Sequence, residues 1–265
     1  VPRMSRNRMV LGFPIDKADF AKFKAEILPQ LNEVQGALEE EEAYFLYKTA
    51  RELKVQAWYP HIVEIGAFCG KSTVAMGLGL KENPQGDEIT IHSIDPFNLG
   101  PGTGNRDNYP VFLENITKAG VEKYVKAYKK TSMDALPDWD PGNRIAFLWI
   151  DGAHEMEFVR EDFQEWGRFL TTKGPGILAM HDTYFAGVHQ VIKEDVLTNL
   201  GYRDFKLIRS LMTATKHDYA PRPEDLARKK RFELSLDNRR EGAFASLRKA
   251  FGTWLRMKLS WLISY

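Results

Sequence analysis

The chain has 265 residues, 43% of them hydrophobic, and a formal net charge of +1. That is enough apolar material for one large α/β core with appendages, and the balanced charge leaves no electrostatic footprint for a nucleic-acid partner. One cysteine, Cys69, excludes an internal disulfide and suits a reducing compartment; with no apolar run long enough to span a bilayer and no apolar signal-peptide core, the sequence reads as cytoplasmic.

Val1-Pro2-Arg3 ahead of Met4 reads as a purification-tag remnant. Residues 5–15, basic and apolar without a period, read as an arm on the surface. Asp16 or Asp19 is placed to cap a helix through about Leu31, with Phe20, Phe23, Ile27 and Leu31 at helical spacing. A second helix, Glu39 to Leu53, brings Tyr44, Leu46, Tyr47, Ala50 and Leu53 near one face. Neither helix carries an evident chemical group. Strands and helices then alternate: strand Ile62 to Ile65, helix 72–81, strand Ile89 to Ile94, helix 110–119, strand Val125 to Tyr128, a short helix near Ser132 to Leu136, strand Ala146 to Ile150, helix 155–170, strand Gly176 to Met180 and helix 186–199. This alternation predicts a doubly wound parallel sheet with ligands at the carboxyl ends of its strands. Phe205 to Arg209 and Leu211 to Lys216 leave no room for a crossover helix, so they pair antiparallel as a hairpin at the sheet edge.

Pro221 and Pro223 break the chain, and from Arg222 onward eleven Lys/Arg face five Asp/Glu. A charged segment, Glu224 to Arg240, precedes a final helical pattern with Phe244, Leu247, Phe251, Trp254, Leu255, Leu259 and Leu262. Such a helix packs on its own domain or on a second copy of the chain in a homo-oligomer. The alternative is a basic amphipathic helix making peripheral membrane contact near a lipid-linked substrate.

The chemistry centres on His61 to Gly79, a buried strand, a glycine turn from Gly66 to Gly70, and a helix opened by Ser72 and Thr73. As a phosphate-binding P-loop of an NTPase or kinase the turn is one residue short, and Glu64 would set a carboxylate near a polyphosphate. A dinucleotide fingerprint is absent. S-adenosylmethionine fits better, because its ammonium asks for a carboxylate (Glu64), its methionine end for N–H groups and Ser72, and its ribose for an acid closing the second strand (Asp95).

Val63-Glu64-Ile65-Gly66-Ala67-Phe68-Cys69-Gly70-Lys71-Ser72-Thr73 resembles motif I of class I S-adenosylmethionine-dependent methyltransferases, especially the metal-dependent catechol-type and the sugar or natural-product O-methyltransferases. Ile94-Asp95-Pro96-Phe97, Trp149-Ile150-Asp151-Gly152-Ala153-His154 and Lys173-Gly174-Pro175-Gly176 followed by His181-Asp182 continue the resemblance, over about residues 40–215. It implies a Rossmann-like seven-stranded sheet, mostly parallel with an antiparallel last strand, with N-terminal helices and a C-terminal helical extension. The corresponding division is an arm and helix in 1–38, a catalytic domain in 39–220 and a basic amphipathic extension in 221–265. Cofactor contacts are expected from Glu64, Gly66, Ala67, Phe68, Gly70, Ser72, Asp95, Ser132 and Asp151.

Asp151, His154, His181 and Asp182 follow the ends of two strands and are expected to converge near the transferred methyl. In metal-dependent relatives the positions of Asp151, His181 and Asp182 bind magnesium or another divalent cation, although a histidine is a departure from an all-oxygen set. The position of His154 holds the base, acting with Asp151. The glycine-rich stretch Asn98 to Tyr109 is either a connector or a substrate lid with Arg106 and Tyr109 as contacts, and Tyr184 and His189 can face the acceptor. The reaction expected is methyl transfer to a hydroxyl of a sugar, glycoside or small natural product, with an NTPase or a catalytically silent assembly module as alternatives.

Overall fold

The computed structural model describes residues 10–11, 13–56, 60–98, 107–174 and 176–241. Two helical elements, α1 (Lys17–Glu26) and α2 (Leu28–Asn32), occupy the stretch expected as one helix; Pro29 at the start of α2 marks the break. Asp16 caps α1 by accepting from the amides of Ala18 and Asp19. Helix α3 (Glu40–Glu52) opens with a capping box, in which the Glu39 amide donates to the Glu42 carboxylate at 2.9 Å. Asp19 ties the two helices together: it accepts from both guanidinium nitrogens of Arg51 (2.8 and 2.6 Å) and from the Tyr44 hydroxyl (2.7 Å).

The sheet has eight strands: β1 (Val10–Leu11), β2 (His61–Ile65), β3 (Thr90–Asp95), β4 (Val125–Lys129), β5 (Ile145–Ile150), β6 (Gly176–Met180), β7 (Tyr202–Ile208) and β8 (Leu211–Lys216). Their order is β1-β7-β8-β6-β5-β2-β3-β4. Seven of them, β2 to β8, make the expected mostly parallel sheet. Its last strand, β8, lies antiparallel between β6 and β7. The eighth corrects the reading of residues 5–15 as a surface arm, because Val10 and Leu11 pair antiparallel with Ile208 and Leu207 and cover the sheet edge. A two-residue strand shows no period, so only the free edge of β7 reveals it.

Helices α4 (Lys71–Glu82) and α5 (Tyr109–Lys118) join α1 and α3 on one face. Helices α6 (Ser132–Ala135), α7 (Met156–Gly167) and α8 (Ala186–Val191), the last continued by a π turn over Ile192–Val196, cover the other. The alternation of β5 feeds both cores: Phe147 and Trp149 face the first, Leu148 and Ile150 the second. Helices α3 and α4 approach so closely that a Cβ on Gly79 would stand 2.2 Å from the Tyr47 carbonyl oxygen, which explains glycine inside a helix.

Residues 223–241 form a ninth helix, α9, where the sequence reading saw only a charged segment. Phe232 and Leu236 are buried in the second core, with Phe232 5.2 Å from the Phe205 ring. Asp237 accepts from His189 Nε2 (2.9 Å) and Lys193 Nζ (2.9 Å). The helical pattern from Phe244 to Leu262, and Arg106, lie outside the described residues. Among those described, no helix is long and apolar enough to cross a membrane.

Candidate active site

The strand order reverses between β2 and β5, and there the carboxyl ends of β2, β5 and β6 open into a cleft. Backbone hydrogen bonds run one step past the last strand pairs: Asp151 N donates to Ile65 O (2.8 Å) and His181 N to Ile150 O (3.0 Å). Asp151 and His181 are thereby aimed by the sheet itself. Gly66 lies at φ +88, and a Cβ there would fall 2.1 Å from the Asp151 carbonyl oxygen, so no other residue fits. The cleft, about 210 Å³, is lined by Gly66, Ala67, Phe68, Lys71, Ser72, Asp151, His181 and Asp182, and closed on one side by Gln35 to Leu38. Those last four residues, between α2 and α3, carried no signal in the sequence.

The glycine turn is held from behind. Asp95 at the end of β3 accepts from the Phe68 amide (2.8 Å) and the Phe97 amide (2.5 Å), and both phenylalanines have positive φ. A carboxylate has about four acceptor sites, so Asp95 retains capacity for a diol. Gly70, at φ +91, precedes α4, and Asn108 and Asn115 of the α5 region donate to the carbonyls of Phe68 (2.6 Å) and Cys69 (2.8 Å). Glu64 does not line the cleft. It is fully buried, accepting from Ser72 Oγ and Thr73 Oγ1 (2.5 Å each) and Ser93 Oγ (2.6 Å), and burial raises its carboxyl to about 7 despite those hydroxyls. Ser132 opens α6 and donates to Asp162, whose carboxyl burial raises to about 6.

At the other end of the cleft four side chains converge. His154 Nε2 lies 3.1 Å from Asp182 Oδ2, and its ring stacks on Phe185 at 4.2 Å and 14°. The bond to Asp182 raises the His154 pKa. Asp182, at φ +55, is held well below the usual carboxylate range: burial would raise it, but bonds to His154 and His181 outweigh that. His181 Nδ1 is 3.0 Å from Asp151 Oδ1 and 3.6 Å from Asp182 Oδ2, and its Nε2 is 3.1 Å from Glu42 Oε2 on α3. Ser210, in the β7–β8 turn, donates its amide (2.8 Å) and hydroxyl (2.7 Å) to Glu42 Oε1. Burial would lower the His181 pKa, but Asp151, Asp182 and Glu42 hold the ring well above the usual imidazole range.

The side chains of Asp151, His154, His181 and Asp182 thus meet one another past the ends of β5 and β6. Glu42 and Ser210 were not foreseen; the Glu39–Glu42 spacing of a capping box was the only available signal, and it spoke of helix initiation. Tyr184 is exposed beside Phe185 and bonds Asp182. His189 is buried and turned to Asp237 of α9, away from the acceptor side. Tyr109 packs on Phe97 and Phe112 at the foot of the stretch expected as a lid.

Residues 63–183, from β2 past the end of β6, match the family model described as Methyltransferase domain. Over those residues, somewhat under half of its length, the chain is similar to a methyltransferase domain, and its sheet has the class I, S-adenosylmethionine-dependent methyltransferase fold. Solved structures agree in fold. The O-methyltransferase NovP matches with TM-score 0.56 and 13% identity over 68% of this chain and 81% of that one. The O-methyltransferase TomG of Streptomyces achromogenes, involved in tomaymycin synthesis and solved with S-adenosylmethionine, matches at 0.51 and 17% over 77% and 92%. An O-methyltransferase of Bacillus cereus solved with S-adenosylhomocysteine matches at 0.50 and 12% over 77% and 93%. Counted from β2, the strand order is 3-2-1-4-5-7-6, the order of this methyltransferase fold.

Proposed function

We propose that this methyltransferase acts on a hydroxyl oxygen of a sugar, glycoside or related small natural product, with His154 taking the hydroxyl proton. The observation that carries the reading is the His154–Asp182 pair at 3.1 Å, set at the carboxyl end of the sheet beside Asp151. S-adenosylmethionine, when bound, supplies a methyl group already activated on sulfur. Gly66, Ala67, Phe68, Gly70 and Ser72 would hold its methionine end, Asp95 the ribose diol, the Ser132 region the adenine, and Asp151 the ammonium. The carboxylates of Asp151 and Asp182, beside the glycine turn in one cleft, suit such a cationic, polar molecule. Glu64 acts from behind, fixing Ser72 and Thr73 at the start of α4.

The chain's own contribution is to orient the acceptor and to move one proton. A bond donated from His154 Nε2 to Asp182 leaves Nδ1 as the atom that accepts a proton from the hydroxyl. The bound cofactor would supply the methyl carbon to that oxygen with loss of its carbon–sulfur bond, and the proton would stay on the His154 imidazole until solvent removes it. Phe185, stacked on the His154 ring, and exposed Tyr184 give the acceptor side an aromatic lip suited to the apolar face of a sugar ring.

Asp151, His181 and Asp182 have ligand atoms within 4.8 Å of one another, the spread of a metal-binding set. The donors fit a magnesium ion poorly: His181 Nδ1 is paired with Asp151, and Asp182 Oδ2 with His154. No step above uses a metal. A lone buried Cys69 favours a cytoplasmic setting. Calorimetry with S-adenosylhomocysteine, followed by a methylation screen of hydroxylated glycosides with wild type and His154→Ala, tests the proposal. Cofactor binding with a methylated product lost in the variant is expected; ATP binding in place of the adenosyl ligand overturns it.

A further inference from the structure

Helix α9 uses one side for the fold and leaves the other in water. Phe232 and Leu236 enter the second core, whereas Leu226 (46% exposed), Lys230 and Leu234 (58% exposed), four apart, form an exposed line with Ala227 and Arg231 beside it. The charges are sorted too. Of the five acids in 223–241, three are already paired: Asp225 with Arg222 at 3.2 Å and Arg203 at 3.9 Å, Glu233 with Lys193 at 3.7 Å, and Asp237 with Lys193 and His189 at 2.9 Å each. Glu224 and Glu241 stand at the two ends. Arg228, Lys230 and Arg231 are exposed, and their side chains have no ion-pair partner among the described residues. Lys229 reaches aside to the Asn199 carbonyl at 2.8 Å, which sets Leu200, 60% exposed, near the flank of the helix.

We propose that the outer face of α9 rests on an anionic lipid surface, with its leucines entering the headgroup layer and Arg228, Lys230 and Arg231 meeting the lipid phosphates. A single surface leucine needs no account. A line of two, flanked by unpaired cations, suits a layer that is negative above and apolar beneath. A nucleic acid would use the cations and leave the leucines in water. The sequence after Glu241 keeps the same composition: it has Arg248, Lys249, Arg256 and Lys258 and no acid, with Phe251, Trp254 and Trp261 among them. No helix among the described residues spans a bilayer, so the contact is peripheral. Glu241 shares a groove with Ala186, next in sequence to exposed Phe185, so the helix ends near the aromatic lip of the site.

The test is sedimentation of the full-length protein with vesicles of phosphatidylcholine alone and of an equimolar mixture with phosphatidylglycerol. Binding to the mixed vesicles, weakened by salt and much poorer on the neutral ones, is expected. Lys230→Gln/Arg231→Gln should weaken it roughly 30-fold, at about fivefold per basic residue. Leu234→Ser should weaken it as well, with the salt dependence retained. All three side chains are exposed, so the thermal midpoint and S-adenosylhomocysteine binding should stay as in the wild type. The same calorimetry reports the methyltransferase reading apart from the docking. No binding to the mixed vesicles overturns the inference, as does equal binding to both kinds. Binding left unchanged by the α9 substitutions overturns it too, by assigning the contact to the chain beyond Glu241. A wild-type dimer that Leu234→Ser dissociates, without vesicle binding, makes the face a contact between two copies and likewise overturns it.

Discussion

The His154–Asp182 pair makes a definite prediction about pH. A base acts only when neutral, and Asp182 raises the His154 pKa above the ordinary 6.5. Activity should climb with pH through an apparent pKa above that value, and Asp182→Asn should move the climb toward lower pH while lowering the maximal rate. His154→Ala should cost roughly 10²–10⁴-fold in kcat with cofactor binding unchanged, read by a product assay beside calorimetry. At Gly66 the expectation is structural. A methyl group 2.1 Å from the Asp151 carbonyl oxygen cannot be relieved by side-chain motion, so Gly66→Ala should lose on the order of 3–5 kcal/mol in urea unfolding, or fail to fold. These residues were legible in the sequence because strand ends announce themselves: an apolar run stops and an acid or glycine follows, as at Ile65-Gly66 and Ile150-Asp151. Glu42 was not legible, since its partner His181 is 139 residues away and the contact exists only once α3 docks on the sheet.

The elements repeat this contrast. Strands β2, β3, β5 and β6 and helix α4 stood out in the sequence because each is buried almost throughout and flanked by turn residues. Helix α9 did not, because just two apolar residues four apart, Phe232 and Leu236, reach the core while its other faces carry charge. Those two residues make the helix part of the domain's stability. Phe232→Ala should destabilise the protein by about 3–5 kcal/mol, seen as a lower denaturation midpoint. A deletion from Arg222 onward should lower it further, because the apolar surface of Phe205 and the second core would be laid open. An unchanged midpoint after deletion would mean that α9 is a detached appendage.

For the molecule as a whole, acid sensitivity has an identifiable seat far from the cleft. His61 and His92 begin and line the amino-terminal half of β2 and β3, with His61 Nδ1 3.1 Å from His92 Nε2 and His92 Nδ1 3.0 Å from the Tyr128 hydroxyl. Burial, with the His61 charge adding, pushes the His92 ring down to about 3. A histidine whose folded pKa is depressed contributes stability that is full above its unfolded value near 6.5 and is lost as pH falls toward 3. The thermal midpoint should drop across that window, and His92→Gln should flatten the drop. A slope unaffected by the substitution would assign acid sensitivity elsewhere, with half-buried Asp19 and its Arg51 partner next in line at lower pH.

The Glu42 carboxylate has one oxygen on the Glu39 amide and His181, and the other on Ser210. Helix initiation, the β7–β8 turn and the charge in the cleft thus share a single group. Fraying of the first turn of α3 and release of His181 Nε2 from its carboxylate are then one event rather than two. Amide exchange at Glu42 and Ser210 should slow and quicken together, and the small population of molecules open at that helix end should be the population that is inactive.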